Sequence, residues 1–306
     1  MQFGICIPHY GKPVNIEQIL EVARRAEELG FDSIWVTDHL LVPRTFDIIY
    51  RDNMLEPIAL LSHLAAVTRR VKLGTSVIIL PYRHPVVVAK MMATIDQLSG
   101  GRLIFGAAVG WMEEEFVALG RPYGERGAMS DENLHLIREL WTNEVVSFTG
   151  TYSRLQDMQT SPRPVQQPYP PIWIGGNSRR ARRRVAELGD GWHAVRIDPA
   201  TVSKGRKDLQ VLWDKNKRPG SPTLSIRILL FLEGVSKEIL SYPARSTGSL
   251  TGSVQQIIDI IGQYQEVGIE HMVFELSTQS HESILHTLET FASKIKSQFT
   301  GEMQRP

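Results

Sequence analysis

The sequence predicts an α/β chain folded as a (β/α)8 TIM barrel, and three observations carry that expectation. Short β-type runs alternate with long stretches of helical period from one end of the chain to the other, and eight such pairs can be read. A weak internal repeat recurs, in which a helix is closed by glycine and feeds an apolar strand: Glu28-Leu29-Gly30-Phe31-Asp32-Ser33-Ile34-Trp35-Val36, then 187–195, then 266–274. The length, 306 residues, suits eight units of one barrel better than a doubly wound sheet. The expected organisation is one domain over 1–306, with the glycine of each repeat in the left-handed conformation.

The strands are expected at 3–7, 33–36, 72–76, 103–107, 172–174, 192–195, 224–232 and 272–275, each an apolar or β-branched run followed by a helical segment. The first helix shows the logic. Asn15 stands at a capping position with Gln18 three residues on, and Ile16, Ile19, Leu20, Ala23, Ala26 and Leu29 mark one apolar face before Gly30 stops it. Three stretches break the rhythm and are expected as insertions after strands two, four and seven: 40–55, 142–171 with its five prolines, and 233–252.

Composition narrows the function classes. Lys plus Arg number 34 against 33 Asp plus Glu, so no global field gathers nucleic acid or an acidic membrane. The single cysteine, Cys6, excludes an intrachain disulfide framework and a Cys-rich zinc module. The first residues carry no basic leader, and no apolar run approaches the ~20 residues of a membrane helix. The expectation is a cytoplasmic protein that engages neither nucleic acid nor membrane.

In a barrel, chemistry sits on the loops that follow the strands. Asp38-His39 ends the second strand, where it reads either as a general acid/base or cofactor contact or as a histidine bridging a loop. The His-x-His pair of metal hydrolases is missing from the first strand, so no metal site is expected. The third strand ends in Gly74-Thr75-Ser76, a small-residue surface that reads as packing or as a floor for a flat ligand, before the bulky Val77-Ile78-Ile79-Leu80. The fourth ends in Ala108-Val109-Gly110-Trp111, and Glu113, Glu114 and Glu115 read as the acidic first turn of the next helix. Gly175-Gly176-Asn177-Ser178 follows the fifth strand and opens a helix, so free N–H groups and the positive dipole end converge on a phosphate-type site. Arg179, Arg180, Arg182, Arg183 and Arg184 crowd that helix; most are expected on a solvated face, with one or two reaching an anion. A P-loop lysine and the Rossmann glycine spacing are both absent.

Four collinear stretches resemble the luciferase-like monooxygenase superfamily, and the resemblance covers nearly the whole chain. They are Gly30-Phe31-Asp32-Ser33-Ile34-Trp35-Val36-Thr37-Asp38-His39, then 68–77, then 98–103 with Gly110-Trp111, and Pro170-Pro171-Ile172-Trp173-Ile174-Gly175-Gly176-Asn177-Ser178. The chain is most similar to the branch that uses coenzyme F420, an 8-hydroxy-5-deazaflavin. The resemblance implies a tricyclic ring in the barrel mouth, backed by a non-prolyl cis peptide that here would be Ser76–Val77. It implies ring contacts from Asp38, Val109 and Gly110, a phosphate held by Gly175, Gly176, Asn177 and Ser178, and proton transfer by His39. Sugar-phosphate dehydrogenases of the superfamily carry a catalytic glutamate where this sequence has Trp111, so sugar oxidation is not expected. Trp111 is expected as an apolar wall, with Glu114 approaching the substrate from the next helical turn, and 40–55 shaping the substrate side.

The leading expectation is an oxidoreductase that moves a hydride between reduced F420 and a small organic substrate. The alternative is an FMN-dependent two-component monooxygenase fed by a flavin reductase partner, and a further one is a non-catalytic flavin-binding paralogue. A glycosidase reading rests on Glu113 to Glu115 and Glu233 alone, without a second feature for paired carboxylates. The superfamily resemblance also implies a homodimer.

Overall fold

A computed structural model describes residues 1–11, 15–44, 54–236, 248–276 and 279–299. Its strands are, in chain order, β1 (Gln2–Cys6), β2 (Ser33–Val36), β3 (Lys72–Thr75), β4 (Ile78–Ile79), β5 (Leu103–Ala108), β6 (Val145–Thr149), β7 (Arg154–Gln159), β8 (Ile172–Gly175), β9 (Gly191–Val195), β10 (Thr223–Leu232), β11 (Ser249–Gly252) and β12 (His271–Glu275). Eight of them, β1-β2-β3-β5-β8-β9-β10-β12, pair in parallel in that order, and β12 returns to β1, closing a (β/α)8 barrel. Each barrel strand lies within one residue of its expected bounds.

The insertions take different forms. The stretch 142–171 holds the antiparallel hairpin β6–β7, outside the barrel. In 233–252, β11 adds in parallel to the second half of β10, while 237–247 lie outside the described residues. Of 40–55, residues 45–53 also lie outside them.

Helix α1 (Ile16–Glu28) begins as expected: the Asn15 side chain accepts from the Gln18 amide at 3.2 Å. Its inner face is Ile19, Val22, Ala23 and Ala26, whereas Ile16 is 47% exposed. Gly30 and Gly268 adopt the left-handed conformation expected of them, at φ +74° and +93°. Gly189 differs. Its backbone is extended, φ −106°, and glycine is required because a Cβ would stand 2.7 Å from Ile174 Cγ1.

The barrel interior explains other small residues. Trp35 on β2 stacks on Trp173 at 5.4 Å and on His193 at 5.2 Å between centroids. A Cβ on Gly74 would fall 2.1 Å from the Trp35 ring, so the small end of β3 at Gly74 is packing, not a ligand floor. Two of the buried histidines are paired through both ring nitrogens or through a relay: His271 Nε2 lies 2.7 Å from Ser33 Oγ, which accepts from Trp35 Nε1, and the two nitrogens of His193 lie 2.9 Å from Ser76 Oγ and Ser225 Oγ. His9 Nε2 accepts from the Thr37 amide at 2.9 Å. Burial disfavours the imidazolium and pushes His9 down to about 4 and His193 and His271 to about 3. Among the described residues no helix is long and apolar enough to cross a membrane.

Candidate active site

A cavity of about 570 Å³ opens at the C-terminal ends of the barrel strands. Its walls include Asp38, His39, Ser76, Val77, Val109, Gly110, Trp111, Gly175 and Gly176. A second cavity of about 570 Å³ opens at the opposite rim, among Gln2, Lys72 and Glu270. The first is the candidate site, because loops after the strands carry barrel chemistry and because titratable side chains converge there. At the second, the Arg102 guanidinium is committed to Ala65, Thr68, Val71 and Ser99 oxygens.

His39 and its partner are the clearest device. His39, 5% exposed, places Nδ1 at 2.7 Å from Glu115 Oε2. Glu115, 1% exposed, also accepts from Tyr82 Oη at 2.7 Å and from the amides of Leu40 and Leu41 at 2.5 and 3.0 Å. Burial alone would raise the Glu115 pKa, but the His39 contact and those amides outweigh it and hold the carboxyl below its ordinary value. The Trp111 ring stands edge-on to His39 at 5.9 Å and is 51% exposed.

Asp38 lines the wall, but its carboxylate is committed. Arg83 grips it through two bonds of 2.6 and 2.9 Å, and the Ile79 amide adds a third at 2.9 Å. At the floor, Arg227 donates from Nε to Glu275 at 3.1 Å and from its terminal nitrogens to Thr37 Oγ1, the Ser76 carbonyl and Tyr10 Oη. Arg196 and Tyr10 also bond Glu275, at 2.6 and 2.8 Å. Burial would raise Glu275, yet the two guanidinium groups hold it down to about 2.

The glycine walls follow from close approach. The Ser76–Val77 peptide is cis, and a Cβ on Gly175 would stand 2.9 Å from Val77 Cγ1. Gly110 at φ +80° and Gly176 at φ +112° occupy conformations that other residues rarely adopt. Beyond them the helix Arg179–Leu188 starts at Ser178, whose side chain accepts from the Ala181 amide. Asn177 bonds both the N–H and the C=O of Val195 with its side chain, at 3.0 and 2.7 Å. Asn177 and Ser178 therefore present backbone, not side chains, to anything at this helix start.

Several placements differ from the sequence expectation. Glu114 is exposed and does not line the cavity; the helix Glu113–Ala118 turns Glu115 inward instead, beside Phe116. The signal was present, since Met112, Glu115 and Phe116 share the i, i+3, i+4 face of a short helix. Arg227 and Glu275 were missed, although a charge inside an otherwise apolar barrel strand requires a buried partner. Of the five arginines, four are paired with carboxylates of neighbouring helices: Arg179 and Arg182 with Asp208, Arg183 and Arg184 with Asp131. Arg180 alone is exposed without a carboxylate partner among the described residues.

A closed parallel barrel whose C-terminal rim carries a histidine–carboxylate pair, glycine walls and a helix start has the form of a barrel enzyme. The chain belongs to the luciferase-like monooxygenase family, whose model matches residues 1–243. It is 38% identical over 180 residues to an F420-dependent glucose-6-phosphate dehydrogenase of Amycolatopsis mediterranei, covering 57% of this chain and 52% of that one. It is 33% identical over 183 residues to an FMNH2-dependent dimethylsulfone monooxygenase of Pseudomonas putida, covering 58% and 48%. In fold it is similar to the crystal structure of monooxygenase RslO1 from Streptomyces bottropensis, with TM-score 0.84 at 21% identity, covering 98% of this chain and 100% of that one. Of these three, one is thus named for a deazaflavin, one for reduced FMN and one as a monooxygenase.

Proposed function

We propose that this protein is an oxidoreductase that moves a hydride between coenzyme F420 and a small organic substrate, with His39 as the proton carrier. The observation that supports the reading best is one cavity whose wall holds both His39, backed by the buried Glu115, and the glycines Gly110, Gly175 and Gly176, the latter two just before the turn into the helix Arg179–Leu188. The residues present fit a tricyclic ring with a phosphate-bearing chain. Gly110, Gly175 and Gly176 leave a wall without side chains, flanked by Val77 and Val109. The amides of Arg179 and Arg180, in the first turn, have no intrahelical acceptor and suit a phosphate, with the Arg180 side chain nearby in sequence. When bound, the deazaflavin supplies two-electron chemistry at its C5 carbon. The chain itself would contribute a proton site at His39, an apolar cover at Trp111, and a fixed positive floor at Arg227.

The similarity to the dimethylsulfone monooxygenase supports a second reading, in which FMN is the cofactor, O2 the co-substrate and a separate flavin reductase the partner. Calorimetric titration of the purified chain with F420 and with FMN, at matched salt, separates the two. Tight binding of F420 alone is the expected result; preference for FMN transfers the assignment to the monooxygenase, and binding of neither refutes both.

A further inference from the structure

The carboxylate behind His39 does more than hold a loop. Both Glu115 oxygens meet donors: Oε1 takes the amides of Leu40 and Leu41, and Oε2 takes Tyr82 Oη and faces His39 Nδ1. An ionised carboxylate only accepts, so the shared hydrogen of the His39 contact belongs to Nδ1. A neutral imidazole carries one N–H, which leaves the lone pair on Nε2. We propose that Glu115 is the positioning residue that fixes His39 as the Nδ1–H tautomer and thereby makes Nε2 the nitrogen that exchanges a proton with a substrate. The inference rests on the reading of His39 as proton carrier. The neighbouring charges do not compete for the role: Asp38 is closed off by Arg83, and the other group on Glu115 Oε2 is a phenol that donates.

The balance is simple. In the direction of substrate oxidation, the oxidised deazaflavin of the proposed function would be the two-electron acceptor of the carbinol hydride, while Nε2 takes the hydroxyl proton as the C=O bond forms, and Glu115 faces the imidazolium so formed. In the reverse direction the reduced deazaflavin would supply the hydride and Nε2–H returns the proton to the oxygen. Glu115 remains ionised throughout.

Glu115→Gln separates the tautomer from the loop contacts. The amide oxygen keeps the Leu40 and Leu41 N–H groups, while the NH2 now donates to Nδ1 and drives the proton to Nε2. The experiment is nitrogen-15 NMR of the full chain labelled at histidine, the His39 signal being assigned by its loss in His39→Gln. Protonated Nδ1 in the native protein is expected, inverted to protonated Nε2 in Glu115→Gln. Tyr82→Phe, which keeps the carboxylate, is expected to retain the native pattern. Protonated Nε2 in the native protein, or an unchanged pattern in Glu115→Gln, overturns the proposal; the first of these needs no variant to fold. In turnover, Glu115→Gln is expected to lose on the order of 10²-fold with cofactor affinity retained. The tautomer is read without cofactor, so it stands apart from the reading beneath it, which fails if His39→Gln leaves turnover unchanged.

Discussion

Acidification is expected to unfold this barrel at a pH where its carboxylates are still ionised, because three neutral histidines are sealed in it. His9, His193 and His271 are 0, 2 and 0% exposed. Burial is the largest cause of their depressed pKa values, with Arg227 adding repulsion at His9 and His193, and His193 and Lys72 at His271. Each falls from an ordinary 6.5, His9 to about 4 and the other two to about 3. The unfolded chain therefore binds more protons than the folded one between these limits, so stability rises with pH and is lost as pH falls below about 6.5. From pH 7 to pH 5 each histidine removes about 2 kcal/mol, and the three together about 6 kcal/mol. That is comparable with the whole stability of an ordinary domain, about 5–15 kcal/mol. Urea unfolding followed by far-UV circular dichroism at pH 7, 6 and 5 measures the effect directly. His271→Gln, which retains a group able to bond Ser33, is expected to shrink the pH 7-to-5 loss by about 2 kcal/mol. A urea midpoint unchanged between pH 7 and pH 5 refutes the reasoning.

Three further outcomes follow from the same geometry. Glu275→Gln leaves Arg227 and Arg196 without the carboxylate they share; a loss of about 3–5 kcal/mol is expected in thermal or urea unfolding, and a loss below 1 kcal/mol contradicts it. Gly106→Ala puts a Cβ at 1.8 Å from the Thr75 carbonyl oxygen, between two barrel strands; the chain is expected not to accumulate in folded form, and a native dichroism spectrum with unchanged melting contradicts this. Gly176→Asp, at φ +112° on the wall before the helix start, is expected to weaken cofactor binding about tenfold or more through crowding and like-charge repulsion, read by calorimetry, and unchanged affinity sinks the phosphate assignment.

The alternation of strands and helices was legible because its period is local. Phe3, Ile34, Leu103 and Met272 announce buried strands by their neighbours alone, and Asn15 announces a helix start by what stands three residues away. Loop glycines were legible for the same reason at Gly30 and Gly268, and misread at Gly189, where the demand comes from Ile174 across the αβ turn rather than from the backbone. At Gly74 the sequence left packing and a ligand floor both open, and Trp35 of the adjacent strand decides for packing.

At the site, the sequence pointed to single residues and the fold supplied their partners. Asp38 and His39 were visible as an ionisable pair at a strand end, but not that Arg83, from beyond β4, neutralises the first while Glu115, from the helix after β5, orients the second. Glu114 and Glu115 are adjacent and chemically identical; only the direction of one helical turn decides which is buried against His39. The arginine run read as a solvated face because Asp131 and Asp208 lie tens of residues away in sequence and one helix away in space. By itself the sequence determined which segments are strands and helices, since propensity and period act over a few residues. Which charges meet was decided by barrel closure, which brings together residues as distant as Tyr10, Arg227 and Glu275 in a volume where no charge is stable alone.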